Sequence, residues 1–341
     1  MKSFLAVALA IFSSCAAMGQ EKSEGLKKVE GLLSRVELNG YAQGGYEYTG
    51  NGSTVTSTFN LKRTLLWGKA KITDRWSFLF MHDFSSEVQE FYMDYRITKG
   101  KELSVRVGQF KNSYSMENPL SPTQMELIDV YSQGVTYLAG CGSDPLNGVN
   151  YGRDLGLMIF GDVLDNKLHY EFAIMNGQGI NKSDGNSDKD IIIKLEYKLR
   201  PELRIVATGQ KGRGHAVGTA EWNPGIEIGD DYTRDRLSFG GEWKDERLGL
   251  HGEWLWGKDG SVKSWGIYLT GHYSVIKNLD VVASADFFDR NTRMDYDQTN
   301  LTAGLQYWFY KKCRVQLQYT RRICEFDTDY NCLQAQVQVG F

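Results

Sequence analysis

Apolar residues occupy every second position in the C-terminal forty or so residues of the chain. Between 299 and 309 the odd positions are mostly aliphatic or aromatic, and the even positions are mostly polar or small. The same alternation returns at 315–319 and at 333–341, where glutamines fill most of the positions in between. A period of two is typical of a β-strand, because successive side chains point to opposite faces of a sheet. These three segments are therefore predicted to be strands.

The same pattern recurs along most of the chain. It predicts thirteen further strands, at 36–48, 58–72, 76–84, 90–97, 102–110, 155–160, 168–176, 191–199, 203–210, 236–244, 248–256, 263–275 and 279–288. The total is sixteen, an even number, as expected for a closed antiparallel barrel whose two ends lie on the same side of a membrane. We therefore predict an all-β, transmembrane, antiparallel up-and-down β-barrel of about sixteen strands with a lumen wide enough for small solutes.

The connections between these strands alternate in length. One set is tight, at 73–75, 98–101, 161–167, 200–202, 245–247, 276–278 and 311–313. The other set includes long polar members, at 111–154, 177–190, 211–235, 257–262, 289–297 and 323–331. Short turns on one side and long loops on the other are typical of outer-membrane barrels. Within 211–235, the glycine-spaced segment 211–218 is interpreted as a flexible external loop.

A soluble β-sandwich is the alternative fold, since it also alternates apolar and polar faces. The nearly uninterrupted Gln, Asn and Thr on the polar face, and the aromatic residues at the ends of the apolar stripes, favour a barrel in lipid. No window of the sequence approaches the roughly 18 uncharged apolar residues of a membrane helix. A spanning protein of this composition would have to be a closed barrel, because an open sheet edge cannot be satisfied in lipid.

The connection 111–154 is unusual because it is both long and rich in apolar residues. A structureless surface loop of this kind is improbable, so it is expected to pack against other parts of the protein. We predict that it folds into the lumen as a constriction. A loop that lies across the outer mouth, or that grips a neighbouring subunit, is the alternative.

The N-terminus has the pattern of an export signal: Lys2, an apolar stretch at 4–12, and a small-x-small cleavage site at 17–19. We predict a signal peptide at 1–19, a short amphipathic periplasmic leader at 20–35, and the barrel at 36–341. Cys15 also allows a lipoprotein interpretation, although the residues before it fit that pattern poorly. The net charge of −3 for the whole chain becomes −4 after cleavage, which argues against a nucleic-acid partner.

Four cysteines remain in the exported chain. Cys324 and Cys332 flank the last predicted loop and share the inward parity of their strands, so a disulfide between them is a candidate. Cys141 and Cys313 fall at opposite ends of the barrel and are expected to be free. No cysteine lies in a C-x-x-C or Cys/His cluster, so neither a metal site nor a cofactor is predicted.

The inward positions of the strands carry many basic residues. Those assigned to the lumen as candidates for contact with anions are Arg63, Lys69, Lys71, Arg96, Arg106, Lys194, Arg204 and Arg314. Acidic residues occupy inward positions too, and interleaved charges of both signs largely neutralise each other. Arg63, Arg106 and Arg314 are the preferred candidates, while simple ion pairing inside the lumen is the alternative for each.

Two adjacent predicted strands carry the residues FYMDY at 91–95 and VRVGQFK at 105–111. In these residues, and in the closing hairpin at 303–319, the sequence resembles the phosphate-selective porin O and P family. The resemblance implies a sixteen-stranded, usually trimeric channel in the bacterial outer membrane that passes phosphate or other small anions. The family's loop carries a basic cluster, whereas 112–153 here contains a single basic residue, Arg153.

The predicted function is therefore passive diffusion of small hydrophilic solutes or ions through an outer-membrane porin, with preference for anions such as phosphate left open. Lipid or lipopolysaccharide and two further copies of the chain are the expected partners. An outer-membrane barrel enzyme of the lipase or protease type, or a surface binding barrel, is the alternative. His272 and Ser274 share one strand face, but no third catalytic group is identifiable in the sequence, and no enzymatic activity is predicted.

Overall fold

A computed structural model describes residue 31 and residues 34–341 of the chain. The predicted signal peptide (1–19) and most of the predicted leader (20–35) lie outside the described residues. Residues 38–341 form one compact unit. No helix in the described part of the chain is long and apolar enough to cross a membrane.

Residues 34–341 contain one short helix and eighteen strands, numbered here in chain order. The helix, α1, is Gln133–Leu138. The strands are β1 (Val36–Gly50), β2 (Val55–Lys71), β3 (Trp76–Asp83), β4 (Val88–Arg96), β5 (Ser104–Lys111), β6 (Ser143–Asp144), β7 (Gly148–Val149), β8 (Arg153–Val163), β9 (Leu168–Met175), β10 (Asp190–Arg200), β11 (Leu203–His215), β12 (Asp231–Lys244), β13 (Leu248–Asp259), β14 (Val262–Ile276), β15 (Leu279–Asp289), β16 (Asp297–Tyr310), β17 (Cys313–Cys324) and β18 (Tyr330–Gly340).

Sixteen of these strands close into an antiparallel barrel. Each pairs with its neighbour in sequence, except that β5 pairs directly with β8 across the long loop. The barrel closes between β1 and β18, in a ladder that runs from Tyr41 opposite Gly340 to Gly50 opposite Asn331. The predicted fold class is therefore confirmed. The strands β6 and β7 form a separate two-stranded hairpin within the loop.

The apolar stripes of the strands face outward, and the polar stripes face the lumen. Leu305, Val315 and Val337 are 43–47 % exposed on the outside of the barrel. The glutamines between such positions, including Gln316 and Gln336, are only 1–2 % exposed. A soluble sandwich would bury the first set and expose the second, so that alternative is wrong. A closed barrel with an apolar exterior is the only sheet that satisfies its backbone in lipid, and it places the protein in the bacterial outer membrane.

The strands β11 and β12 extend further than the sequence pattern indicated. Residues 211–218 were expected to be a flexible loop, yet β11 continues to His215, which pairs with Asp231 of β12. Gly214 lies against the ring of Tyr232, where a Cβ atom would come within 2.4 Å of the ring. This part of the hairpin carries charged and glycine residues rather than an apolar stripe, so hydrophobic periodicity did not reveal it.

Candidate pore and constriction

The long loop, residues 112–152, folds into the lumen and is hydrogen bonded to the inner wall. The Ser115 hydroxyl and the Met116 N–H donate to the carboxylate of Glu253 on β13, at 2.7 and 3.0 Å. Further along the loop, the Ile128 N–H donates to the side chain of Gln318 on β17 at 2.8 Å. The prediction of an inward-folded constriction loop is thus confirmed, and a position across the outer mouth is excluded.

Arg314 on β17 is hydrogen bonded to the first half of the loop. Its guanidinium donates to the backbone carbonyls of Pro122 and Met125, at 3.3 and 2.7 Å. It also donates to Gln306 and Gln338 on the barrel wall, at 2.8 and 3.3 Å, and the residue is only 1 % exposed. The glutamine-rich wall around Arg314 therefore supplies polar groups that satisfy the backbone of the loop.

Two carboxylates of the loop contact two histidines of the wall. Glu126 Oε1 lies 2.8 Å from His272 Nδ1, and Glu117 Oε1 lies 3.3 Å from His251 Nε2. Burial alone would raise the pKa of Glu126, but the hydrogen bond with His272 and the charges of His251 and His272 outweigh burial and hold that pKa below its ordinary value. The carboxylates of Glu117 and Glu126 therefore attach the loop to the barrel wall.

The apolar residues of the loop pack against the inner wall. Tyr114 and Leu138 form a buried cluster with Leu255, Tyr268 and Phe288 of strands β13–β15. The helix α1 lies in this cluster, and Ser132 caps its N-terminus by accepting a hydrogen bond from the Val135 N–H. The cap satisfies a backbone donor that the first turn of a helix leaves unpaired. This packing explains why the loop is rich in apolar residues.

A cavity of about 510 Å³ remains beside the loop, and we call it the lumen cavity. Residues of β1–β5, β8 and β9 line it on one side, and residues of the loop line it on the other. Its charged lining residues are Lys62, Arg63, Asp83, Glu90, Arg106, Lys111, Arg153 and Glu171. Five of these are basic and three are acidic, so basic residues outnumber acidic ones in the lining.

Most of the basic groups of the lumen cavity have acceptors that fix them. Arg106 forms a two-point pair with Asp94, at 2.7 and 3.0 Å. Arg153 lies 2.8 Å from Glu90, and Lys62 lies 3.1 Å from Asp129 in the loop. The ammonium group of Lys111 donates to the carbonyls of Asn118 and Leu120 and to the hydroxyl of Tyr131, at 2.6–3.1 Å.

Arg63 differs from the other arginines of the lumen cavity. Its guanidinium donates one hydrogen bond, from Nη1 to Gln43 Oε1 at 3.0 Å. Among the residues that the structure describes, no carboxylate lies within ion-pair distance of it. A guanidinium has five N–H donors. Arg63 therefore presents a positive charge with free donors to whatever occupies the cavity.

The structure separates the eight predicted anion-contact residues. Arg63 and Arg106 line the lumen cavity. Arg204 is paired with Glu196 and Glu242, at 2.9 and 2.6 Å, outside the lining of this cavity as the described residues define it. Of the preferred candidates, Arg314 is covered by the loop, so only Arg63 combines a place on the cavity with the lack of a carboxylate partner.

The remaining predicted residues lie elsewhere along the wall. Lys194 on β10 is buried and stands opposite Glu171 in the ladder with β9. Lys69 and Lys71 are exposed near the tight turn after β2, and Arg96 is exposed at the end of β4. The eight residues therefore do not form one cluster.

Sequence reasoning missed three basic residues of the cavity lining. Lys111 and Arg153 are direct partners across the β5–β8 ladder, although the long loop separates them in the chain. Lys62 lines the cavity together with its neighbour Arg63, so strict alternation does not hold at this point of β2. Periodicity could not have found these residues, because their position depends on a long-range pairing and on a local departure from the pattern.

The predicted disulfide between Cys324 and Cys332 is not formed, and both residues are free. The β17–β18 ladder places Cys332 opposite Thr320, four positions away from Cys324. Cys332 instead accepts a hydrogen bond from the hydroxyl of Thr49 on β1, with a donor–acceptor distance of 3.6 Å. Cys324 and Cys332 would face each other only across a turn centred on Thr328, whereas the observed register pairs Arg322 with Tyr330. Cys141 and Cys313 are free and buried.

Solved structures with the same architecture cover 90 % of the chain at low sequence identity. OmpT, an outer membrane protein of Vibrio cholerae in its trimer form, is 14 % identical, matches over 99 % of its own length and has a TM-score of 0.64. An anion-selective porin from Comamonas acidovorans is 13 % identical over 99 % of its length, with a TM-score of 0.63. The outer membrane channel DcaP of Acinetobacter baumannii is 13 % identical over 97 % of its length, also with a TM-score of 0.63. No family model matches the sequence, and no curated protein does.

Proposed function

We propose that this protein is an outer-membrane porin that lets small hydrophilic solutes and ions diffuse passively, with a moderate preference for anions. The observation that carries the proposal is the lumen cavity beside the constriction loop, with its excess of basic residues and with Arg63 free of carboxylate partners. A water-filled constriction whose fixed charges are mainly positive attracts anions and repels cations.

The similar structures support this proposal. One of them is described as an anion-selective porin and one as an outer membrane channel, and OmpT is described in a trimer form. We extend the proposal to a homotrimer in contact with lipid and lipopolysaccharide. Membership in the phosphate-selective porin O and P family is part of the same proposal. A strong phosphate site on the loop is not, since Arg153 is held by Glu90.

The alternative of a barrel hydrolase finds less support in the side-chain contacts. In the Ser-His and Cys-His hydrolases, the nucleophile lies within hydrogen-bond reach of a histidine that acts as its base. In residues 34–341 no serine or cysteine side chain is hydrogen bonded to a histidine. His272 contacts Glu126, and the Ser274 hydroxyl donates to Asp280 at 2.6 Å. We therefore propose a channel without enzymatic activity.

Reconstitution of the purified, detergent-folded protein into planar lipid bilayers tests this function. We expect discrete conductance steps in KCl, and a reversal potential in a KCl gradient whose sign corresponds to chloride permeating faster than potassium. An insulating protein would refute the channel, and a conducting protein with cation preference would refute only the proposed selectivity. Hydrolysis of an ester or peptide substrate by the same preparation would support the enzyme instead.

A further inference from the structure

The lumen has two chemically different walls. Strands β3–β5 and β8–β10 present a buried cluster of apolar and aromatic side chains to the interior: Leu79, Tyr92, Phe110, Met158, Ala173, Met175 and Ile192. The opposite wall, on β16–β18 and β1, is rich in glutamine. Because the loop covers the glutamine-rich wall, the lumen cavity is bordered by apolar side chains as well as by charges. A pore for fully hydrated ions alone has no need of such a wall.

Tyr41 of β1 brings an unused hydrogen-bond donor to this cavity. The residue is 5 % exposed and lines the cavity, and its hydroxyl has no hydrogen-bond partner among the described residues. Gln43, whose side chain accepts a hydrogen bond from Arg63, is two residues further along the same face of β1. The rise of a strand places the Cα atoms of Tyr41 and Gln43 about 7 Å apart. Arg63 and Tyr41 therefore line the same cavity, and Arg63 is hydrogen bonded to the next inward-facing residue of β1 after Tyr41.

Apolar groups surround these two donors. The ring of Trp67 on β2 packs edge-on against the ring of Tyr41, with centroids 6.1 Å apart. Trp67, Leu65 and Met81 line the cavity from the wall, and Tyr131 lines it from the loop. The site thus combines a charged donor and a neutral donor with surfaces that can cover a flat apolar group.

We propose that this part of the lumen cavity, which we call the Tyr41–Arg63 subsite, binds amphipathic organic anions, namely carboxylates that carry an aromatic or other compact apolar body. The inference rests on the proposed channel function and names the class of solute that the channel selects. The carboxylate accepts hydrogen bonds from Arg63 and Tyr41, while the apolar body contacts Trp67 and Met81. Inorganic phosphate can use the same two donors but leaves the apolar surface wet, so it binds more weakly.

The test is a titration of the chloride current through the reconstituted channel with potassium benzoate. Potassium acetate, potassium phosphate and benzyl alcohol serve as comparison probes, since the first two lack the ring and the third lacks the charge. Burial of one face of a ring corresponds to about a tenfold gain in affinity. We expect benzoate to reduce the current at about one tenth of the concentration that acetate or phosphate requires, and benzyl alcohol to have no effect.

Three variants separate the roles of the groups. R63Q should weaken inhibition by benzoate and by acetate at least about tenfold, and Y41F should weaken both by about fivefold, because each removes a donor to the carboxylate. W67L should weaken inhibition by benzoate but not by acetate. R247Q, which removes the same charge from an exposed position in the tight turn between β12 and β13, should leave both inhibition curves unchanged.

The outcomes distinguish this subsite from the channel function itself. A conducting channel that benzoate and acetate inhibit equally, or that benzyl alcohol inhibits as strongly as benzoate, would overturn the subsite and leave the porin intact. Equal effects of R63Q and R247Q would also overturn it. A protein without conductance would remove the function on which the subsite rests.

Discussion

Replacing Arg63 with glutamine should reduce the anion preference of the channel by a predictable amount. The substitution removes an arginine of the cavity lining that has no carboxylate partner among the described residues. A unit charge about 5 Å from a passing ion contributes about 0.8 kcal/mol in water, and about 0.5 kcal/mol after screening at 0.1 M salt. This energy changes the local chloride concentration by about 2.3-fold and that of potassium by the inverse factor. The chloride-to-potassium permeability ratio, read from the reversal potential in a KCl gradient, should therefore fall by about fivefold.

The matched control is the double variant R106Q/D94N, which removes both members of an ion pair near the same cavity. Because the net charge does not change, we expect its permeability ratio to stay close to that of the wild type. Arg63 does not set the selectivity if R63Q leaves the ratio within about 1.5-fold of the wild-type value, or if the double variant shifts the ratio as strongly as R63Q does. Heat-modified mobility on gels would confirm that each variant has folded.

Three further predictions concern the loop and the cysteines. Q318L leaves the Ile128 N–H without its partner and removes one of the two side-chain donors to the Glu126 carbonyl, which keeps its bond from Gln316. The loss should destabilise the packed position of the loop by about 1–3 kcal/mol, so limited proteolysis within the loop should become faster than in the wild type. Because the pKa of Glu126 is lowered, its contact with His272 is present above the ordinary carboxyl pKa of 4.5 and is lost as the pH falls through the lowered value. Open-channel noise should therefore rise only below the ordinary carboxyl pKa of 4.5 in the wild type and be present at neutral pH in E126Q; equal noise in both at neutral pH would contradict this role. Since Cys324 and Cys332 are both free, thiol titration of the unreduced, denatured protein should detect the thiol groups of both residues. If neither thiol reacts before reduction, the two cysteines form a disulfide, and the register of β17 and β18 is contradicted.

Periodicity alone predicted most of the barrel, because each strand faces lipid on one side and a polar interior on the other. The predicted strand at 168–176 and the observed β9, Leu168–Met175, differ by one residue. The prediction failed where both faces of a strand are polar, as in the outer parts of β11 and β12. In those parts the two strands remain hydrogen bonded to each other, but neither face carries a row of apolar residues. Hydrophobic periodicity therefore gives no signal for a strand there.

The candidate site was harder to predict than the fold. Parity correctly placed Arg63 and Arg106 on the inner wall, but it could not show that Asp94 holds Arg106 or that the loop covers Arg314. Pairing across strands depends on register, and the seating of the loop depends on contacts between residues far apart in sequence. For the same reason, the pair formed by Lys111 and Arg153 became visible only once β5 was placed beside β8.

The most direct test of the account is chemical modification of the lumen cavity during current recording. A cysteine placed at position 63 (R63C), in a background with the native cysteines replaced by alanine, should react with a charged, water-soluble methanethiosulfonate reagent and change the single-channel conductance in one step. A cysteine placed at Leu305 (L305C), on the outer face of the barrel, should leave the conductance unchanged. Complete modification of R63C, verified by mass spectrometry, without any change in conductance would show that ions do not pass through this cavity.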